Sequence, residues 1–261
     1  MRYSIITINY NNREGLRRTI ESVASQTCLD FEYIIIDGGS TDGSADVIAE
    51  YADRITYWVS ERDKGIYNAM NKGVKQAHGD YCLFLNSGDV FYDIGVLERL
   101  RIPESFPDIV VGKLVSSNDG KELFRVPEEL TMYHLYSSTL PHQASFIRTP
   151  LLLKFPYDES LRIVSDWKFF VETIILHQCS VFIVDEIIAR FDMTGVSTSN
   201  NERTWQEKEA VMRNLLPPRV LDDYKRMKES ECLTQTLTPQ LRKHYRIDKI
   251  LFSLGKSLLK L

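Results

Sequence analysis

Four times within residues 1–105 a short apolar run ends in a polar turn, and the runs alternate with apolar stripes at helical spacing. The runs are 4–8, 33–36, 56–60 and 81–85. The stripes between them are Leu16, Ile20 and Val23; Val47, Ile48 and Tyr51; and Ile66, Met70, Val74 and Ala77. Asn11 or Asn12 stands where the first helix needs an N-cap, and Gly79 lies just past the third stripe. Strand-like runs alternating with helical stripes build βαβ units, so the pattern predicts a mostly parallel, twisted sheet with helices on both faces.

In such sheets ligands bind beyond the carboxyl ends of the strands. Here those ends read Asn9-Tyr10-Asn11, Asp37-Gly38-Gly39, Glu61-Arg62-Asp63 and Asn86-Ser87-Gly88-Asp89. One such turn is ordinary; four on one sheet edge mark a site. Two phosphate-binding chemistries lose their central warrant. Gly255-Lys256-Ser257 could end a Walker A loop, but Ile250 stands where its first glycine is required, and the first turn lacks the glycines of a dinucleotide fingerprint. What remains is acidic: Asp37, Asp63 and Asp89. Carboxylates repel phosphates unless a hard cation intervenes, so Mg²⁺ or Mn²⁺ bridging to a nucleotide diphosphate is the economical chemistry, with Tyr10 as a stacking face for the base. The five histidines, at 78, 134, 142, 177 and 244, show no metal-ligand spacing.

Residues 106–200 change character. The runs 109–111 and 121–126 flank Asn118-Asp119-Gly120 as in a hairpin. Residues 143–147, 180–184 and 187–191 read as strands, and Asp166 opens a helix carrying Trp167, Phe170, Val171, Ile174 and Ile175. These predict a mixed sheet that continues the first. Residues 201–261 read as helices, broken near Pro217-Pro218 and Pro239. Residues 239–261 hold six Lys/Arg and one acid, a balance of +5, with Ile247, Ile250, Leu251, Leu254, Leu258 and Leu261 on one helical face. Such a basic amphipathic helix suits an anionic membrane interface, and equally suits packing on its own domain or on a second copy of the chain.

Composition bounds the function. With 32 Lys+Arg against 36 Asp+Glu the net charge is −4 over 261 residues, which argues against nucleic acid as a partner. Cys28, Cys82, Cys179 and Cys232 form no CxxC pair, no signal-peptide core follows Met1, and no apolar run reaches membrane-spanning length. The expected location is cytoplasmic, peripheral on the inner face of the plasma membrane if the tail binds lipid.

The chain resembles the family 2 glycosyltransferases. The matching segments are 4–12, 22–27, 33–44, 60–73, 77–81 and 85–89, in that order. The resemblance implies a Rossmann-like, glycosyltransferase A-type α/β fold: a mixed central sheet flanked by helices, with a helical C-terminal tail. Residues 1–105 would be the nucleotide-sugar-binding half, 106–200 the acceptor-binding half of the same domain, and 201–261 a helical extension. It places Tyr10 at the base, Asp37 and Gly38 beside base or ribose, Asp63 near ribose and phosphates, and Lys64, Asn71 and Asn86 among the donor-binding residues. Asp89 would hold the metal, although Asn86 and Gly88 replace two usual carboxylates of that motif and Gly38 replaces the second acid of a frequent Asp-Asp pair.

The resemblance also makes Asp166, within Ser165-Asp166-Trp167, the catalytic base. His142, Gln143 and Trp167 fall at the donor-sugar or acceptor pocket, and 194–198 in a loop near the site. The implied activity is a metal-dependent, inverting transfer from a nucleotide-diphospho-sugar, most simply UDP-linked, to a glycan or lipid-linked acceptor in bacterial surface polysaccharide synthesis. The rivals are a catalytically silent nucleotide-sugar-binding or assembly protein, and a sugar nucleotidyltransferase, which would want a basic, glycine-rich first turn. A second copy of the chain is a further candidate partner.

Overall fold

The strands at the centre of the sheet are apolar on both faces, as a sheet covered by helices on both sides requires. In the computed structural model, which describes residues 1–123, 126–127, 130–193 and 201–245 (for 201 and 235–245 the backbone alone), β1 (Tyr3–Asn9) is buried at every position. α1 (Arg13–Ala24) follows, capped by the Asn12 side chain, which accepts from Gly15 N at 3.1 Å, with Leu16, Ile20 and Val23 turned into the core. Then come β2 (Phe31–Asp37), α2 (Ser44–Glu50), β3 (Tyr57–Ser60), α3 (Ile66–Lys75) and β4 (Tyr81–Phe84). The second half supplies β5 (Val90–Phe91), α4 (Val96–Arg99), β6 (Ile109–Ser116), α5 (Met132–Ser137), β7 (Ser145–Arg148), α6 (Thr149–Lys154), α7 (Ser165–Phe170) and β8 (Val181–Phe191). α8 (Asn201–Leu215) and α9 (Pro218–Tyr245) follow.

Among the described residues one mixed sheet of eight strands runs in the order β3-β2-β1-β4-β7-β6-β8-β5. β1 to β4 are parallel, β7 runs antiparallel to β4 and β6, and β8 is parallel to β6. The chain winds outward from β1 through β2 to β3, then returns to place β4 on the other side of β1. The crevice at the carboxyl ends of β1 and β4 is therefore the topological switch point, where open α/β sheets bind ligands. Contacts divide the chain into a unit from Met1 to Glu209, which holds the whole sheet, and a second from Ala210 onward. Among the described residues no helix is long and apolar enough to cross a membrane.

Three local expectations change. The strands expected at 180–184 and 187–191 are one eleven-residue strand, β8, whose register against β6 shifts around Lys113 instead of breaking. The expected hairpin closes through a turn, with Ser116 N donating to Lys121 O at 2.8 Å; among the described residues its return arm shows the Val115 to Glu122 bridge and Leu123 N donating to Leu114 O. The helix at Asp166 begins one residue earlier and widens into π-type turns over Val171–Leu176. The 194–198 loop and residues 246–261 of the basic tail lie outside the described residues.

At the carboxyl edge β1, β2 and β3 end in register, Asn9 beside Asp37 and Asp37 beside Ser60. Asp37 is fully buried and accepts from Asn9 Nδ2 (2.7 Å), Ser60 Oγ (2.6 Å), Ser40 Oγ and Ser40 N (2.9 Å). Burial disfavours the charge, but these hydrogen bonds outweigh it and hold the carboxyl below its usual range. Asp37→Asn should therefore lower stability by roughly 2–3 kcal/mol, because at least two donors lose an acceptor. A carboxyl depressed on folding contributes stability that is complete above its unfolded pKa, about 4, and lost as pH falls through the lower folded value. The gap in Tm between wild type and variant should close on acidification below about pH 4; a gap that stays constant from neutral pH to pH 3 would mean the charge does not carry it.

Candidate active site

The β1–α1 turn is built to expose an aromatic. Asn11 adopts a positive φ of 49°, a conformation asparagine tolerates better than most residues. Its N–H donates to Ser40 Oγ (2.8 Å) and its Oδ1 accepts from Thr41 N (2.9 Å), so the turn is clipped to the one after β2. Tyr10 is thereby left 67% exposed at the sheet edge. Beside it Gly38 carries no side chain, and another residue uses the space: a Cβ there would lie 2.6 Å from Asp63 Oδ2 and 3.2 Å from Tyr10 Cδ2. The Asp63 carboxylate is itself anchored, its Oδ1 accepting from Gly65 N at 2.8 Å. Tyr10, Gly38 and Asp63 thus converge on one small cradle. Asp37, by contrast, is buried, with its carboxylate engaged by Asn9, Ser40 and Ser60.

The fourth strand end shows the same device. Gly88 sits at φ +110°, and a Cβ there would lie 2.7 Å from Asp192 Oδ2. Asp192, just beyond β8, pairs with Arg18 at 3.0 Å. Asp89 is only 3% exposed; its Oδ1 accepts from Asp192 N (2.9 Å) and Gln143 also hydrogen-bonds it. Burial pushes its carboxyl up to about 6, against the lowering effect of those partners. Among the described residues no group of three or more His, Cys, Asp or Glu could hold a metal ion. Asp89, expected from the sequence to hold the metal, also joins the 86–89 turn to the end of β8.

The second half brings its residues to that same strand end. Asp166, in the first turn of α7, accepts from Trp167 N (2.9 Å) and lies 3.0 Å from the Tyr67 hydroxyl through Oδ1, while Oδ2 is 2.7 Å from His142 Nδ1. The other ring nitrogen of His142, Nε2, is 3.3 Å from Asn86 Nδ2. A continuous run, Tyr67–Asp166–His142–Asn86, therefore joins α3, α7, the turn before β7 and the end of β4. His142 and Asp166 keep 16% and 15% of their side chains exposed, enough for contact with a ligand. Burial alone would raise the Asp166 pKa; the hydrogen bond and charge of His142, with Trp167 N and Tyr67, lower it overall.

Other expected residues fall elsewhere. Trp167 is 2% exposed, its Nε1 donating to Leu135 O at 2.6 Å, so it belongs to the core and not to the sugar pocket. Asn71 is spent at both ends of its amide, donating to Tyr157 O (2.8 Å) and accepting from Tyr157 N (3.0 Å), and fixes the 157–159 loop. Gln143 is buried against Asp89. Lys64 is exposed at the rim. The sequence does not single out Tyr67 or Ser40, and it offers Asn11 only as a strand-end and cap candidate.

The family 2 glycosyl transferase model matches residues 4–158. The chain belongs to the family 2 glycosyltransferases. An uncharacterized glycosyltransferase of Mycobacterium tuberculosis is 32% identical over 216 residues, covering 75% of this chain and 76% of the relative. A PGL/p-HBAD biosynthesis glycosyltransferase of Mycobacterium bovis is 34% identical over 175 residues, 64% of this chain and 67% of that one. Among solved structures, residues 1–349 of TarS from S. aureus in complex with UDP-GlcNAc superpose with a TM-score of 0.66 at 21% identity, covering 82% of this chain and 65% of that chain. The chain spans 38% of the longer TarS structure. A mannosyltransferase from Pyrobaculum calidifontis, solved with GDP-Man and Mn²⁺, superposes with a TM-score of 0.54 at 14% identity, covering 80% and 61%. At these identities the structures show a shared fold, the glycosyltransferase A-type arrangement.

The Asp89 geometry makes a direct prediction for this glycosyltransferase. Asp89→Ala should lower its stability by about 2 kcal/mol, since Asp192 N and Gln143 lose a buried acceptor. Mn²⁺ binding in the presence of UDP, measured by calorimetry, should not change. Lost Mn²⁺ binding at unchanged Tm would restore the metal assignment.

Proposed function

We propose that this glycosyltransferase takes a sugar from a nucleotide-diphospho-sugar, UDP-linked, seated in the crevice between the ends of β1 and β4, and passes it with inversion to a hydroxyl of a glycan or lipid-linked acceptor. The observation that carries the reading is the hydrogen-bonded run from Asn86 to Asp166, which sets a carboxylate–imidazole pair beside the strand end that faces the crevice. Tyr10 stacks on the base, with Asp63 beside it over Gly38. Asn86 lies near the anomeric end. The Asp166–His142 pair receives the proton as the acceptor hydroxyl attacks the anomeric carbon, the chemistry a positioned base performs.

The UDP-GlcNAc complex of TarS supports a uridine donor, and the PGL/p-HBAD biosynthesis relative supports a role in biosynthesis. Residues 106–200 would then carry the acceptor side of the site. The basic tail would hold the protein at the inner face of the plasma membrane, near a lipid-linked acceptor.

A thermal-shift panel of UDP-glucose, UDP-galactose, UDP-GlcNAc and GDP-mannose tests the donor class. A donor at 100-fold over its Kd adds about 2.7 kcal/mol of apparent stability. We expect a UDP-sugar to give the largest shift; no shift with any of them would refute the assignment. Asp166→Asn should then lower turnover about 10²–10⁴-fold with little change in donor affinity. Near-full turnover in that variant would mean the proton is received elsewhere.

A further inference from the structure

Within the proposed site we infer that Nε2 of His142 is the atom that takes the proton of the acceptor hydroxyl, and that Asp166 is a positioning residue that fixes the imidazole. The inference rests on the transfer reading above and departs from the simplest form of it, in which the carboxylate acts alone.

Two N–H groups face Asp166, Trp167 N at Oδ1 and His142 Nδ1 at Oδ2, and the Tyr67 hydroxyl, whose one hydrogen is shared with Ile163 O at 2.5 Å, lies 3.0 Å from Oδ1. Each of these contacts occupies a lone-pair direction that an incoming proton would need. Most of its lone-pair directions are taken, and the ring of His142 stands between Oδ2 and Asn86.

The same contact sets the histidine. An ionised carboxylate only accepts, so the 2.7 Å contact requires a proton on Nδ1. In the neutral ring the lone pair must then lie on Nε2. That nitrogen faces Asn86 at the end of β4, in a part-buried contact beside the switch point. Its contact with Asn86 Nδ2, at 3.3 Å between two nitrogens, is long and ties up the lone pair only weakly. The ring is fixed from behind as well: the turn that carries it is closed by Ala144 N and Ser145 Oγ, which both donate to Pro141 O, at 3.1 and 2.7 Å.

Asn86 supplies an independent observation. Its Oδ1 is buried and has no hydrogen-bond partner. Leaving a buried acceptor unpaired costs about 1–3 kcal/mol, so such atoms call for an explanation. A half-turn of the amide places Oδ1 against Nε2. That orientation is wrong for a neutral ring, whose Nε2 has no hydrogen, and right for an imidazolium, whose Nε2–H donates. The asparagine in place of the family's carboxylate thus suits both protonation states of the neighbouring histidine.

The step balances. The acceptor O–H bond breaks and its proton goes to Nε2. The oxygen's electron pair forms the bond to the anomeric carbon, and the bond from that carbon to the diphosphate oxygen breaks with its electrons leaving on the diphosphate. The imidazolium is neutralised against Asp166 until it releases the proton to water.

Two measurements on the full-length protein test this. The first needs no substrate: ¹⁵N spectra of the imidazoles. In the wild type, the neutral form of His142 should carry its proton on Nδ1, and Asp166→Asn should disturb that tautomer, since the amide can present N–H to Nδ1. A proton on Nε2 of that neutral form would overturn the inference. The second is nucleotide release from the four-sugar panel. His142→Ala and the size-conserving His142→Gln should lose about 10²–10⁴-fold in turnover, with donor affinity kept. Added imidazole should restore part of the activity to His142→Ala and none to Asp166→Asn. Near-wild-type turnover in both His142 variants, with Asp166→Asn still impaired, would give the proton to Asp166 directly. A wild type that binds no sugar nucleotide would refute the transfer reading instead, and the tautomer measurement would still decide how His142 is set.

Discussion

One buried carboxylate holds the ligand-facing edge of this sheet together. Asp37 takes hydrogen bonds from the last residues of β1 and β3 and from both the backbone and side chain of Ser40. Side chains at the ends of parallel strands would otherwise fray into solvent, since each strand leaves the sheet into a separate loop. Here three strand ends converge on a single charge, and Ser40 passes that order on to Asn11 and so to the turn that displays Tyr10. The exposed aromatic depends on the buried acid behind it.

Beyond that knot, acids missing from the local sequence are replaced through space. Gly38 leaves room that the Asp63 carboxylate fills from the β3–α3 loop, and Gly88 leaves room that Asp192 fills from the far end of β8. In both places a glycine takes the position where the family pattern has a second carboxylate, and a carboxylate arrives from a distant segment. The two outcomes differ chemically. Asp63 stays partly open beside Tyr10, whereas Asp192 is paired with Arg18 and its backbone N–H closes over Asp89. The first keeps a polar group at the cradle; the second converts part of an acidic motif into structure.

The sequence made the layering legible because helical and strand periods are local properties. It located the four strand ends and narrowed the first cap to Asn11 or Asn12 for the same reason, whereas the role of Asp166 came from the family resemblance. It could not show that Trp167 and Asn71 turn away from the site, because both are decided by which loop packs on them: Leu135 O takes the indole N–H, and the backbone of Tyr157 takes both ends of the Asn71 amide. Nor could it show the union of His142 with Asp166, 24 residues apart, or that Asp89 would be sealed by a backbone N–H 103 residues further along. Spacing rules do not reach contacts of that range. The merged strand β8 is a milder case: Asp185 and Glu186 look like a turn, but the register shift against β6 absorbs them.

The central claim is that the donor sits at the switch point between β1 and β4, with its base in the Tyr10–Gly38–Asp63 cradle and its diphosphate end toward Asn86 and His142. A crystal structure of the protein with UDP tests it most directly. The account predicts uracil stacked on Tyr10 with an oxygen of Asp63 within hydrogen-bond distance of it, and phosphates directed to the end of β4. Uridine bound away from Tyr10, or a diphosphate pointing away from the Asn86–His142–Asp166 run, would contradict it.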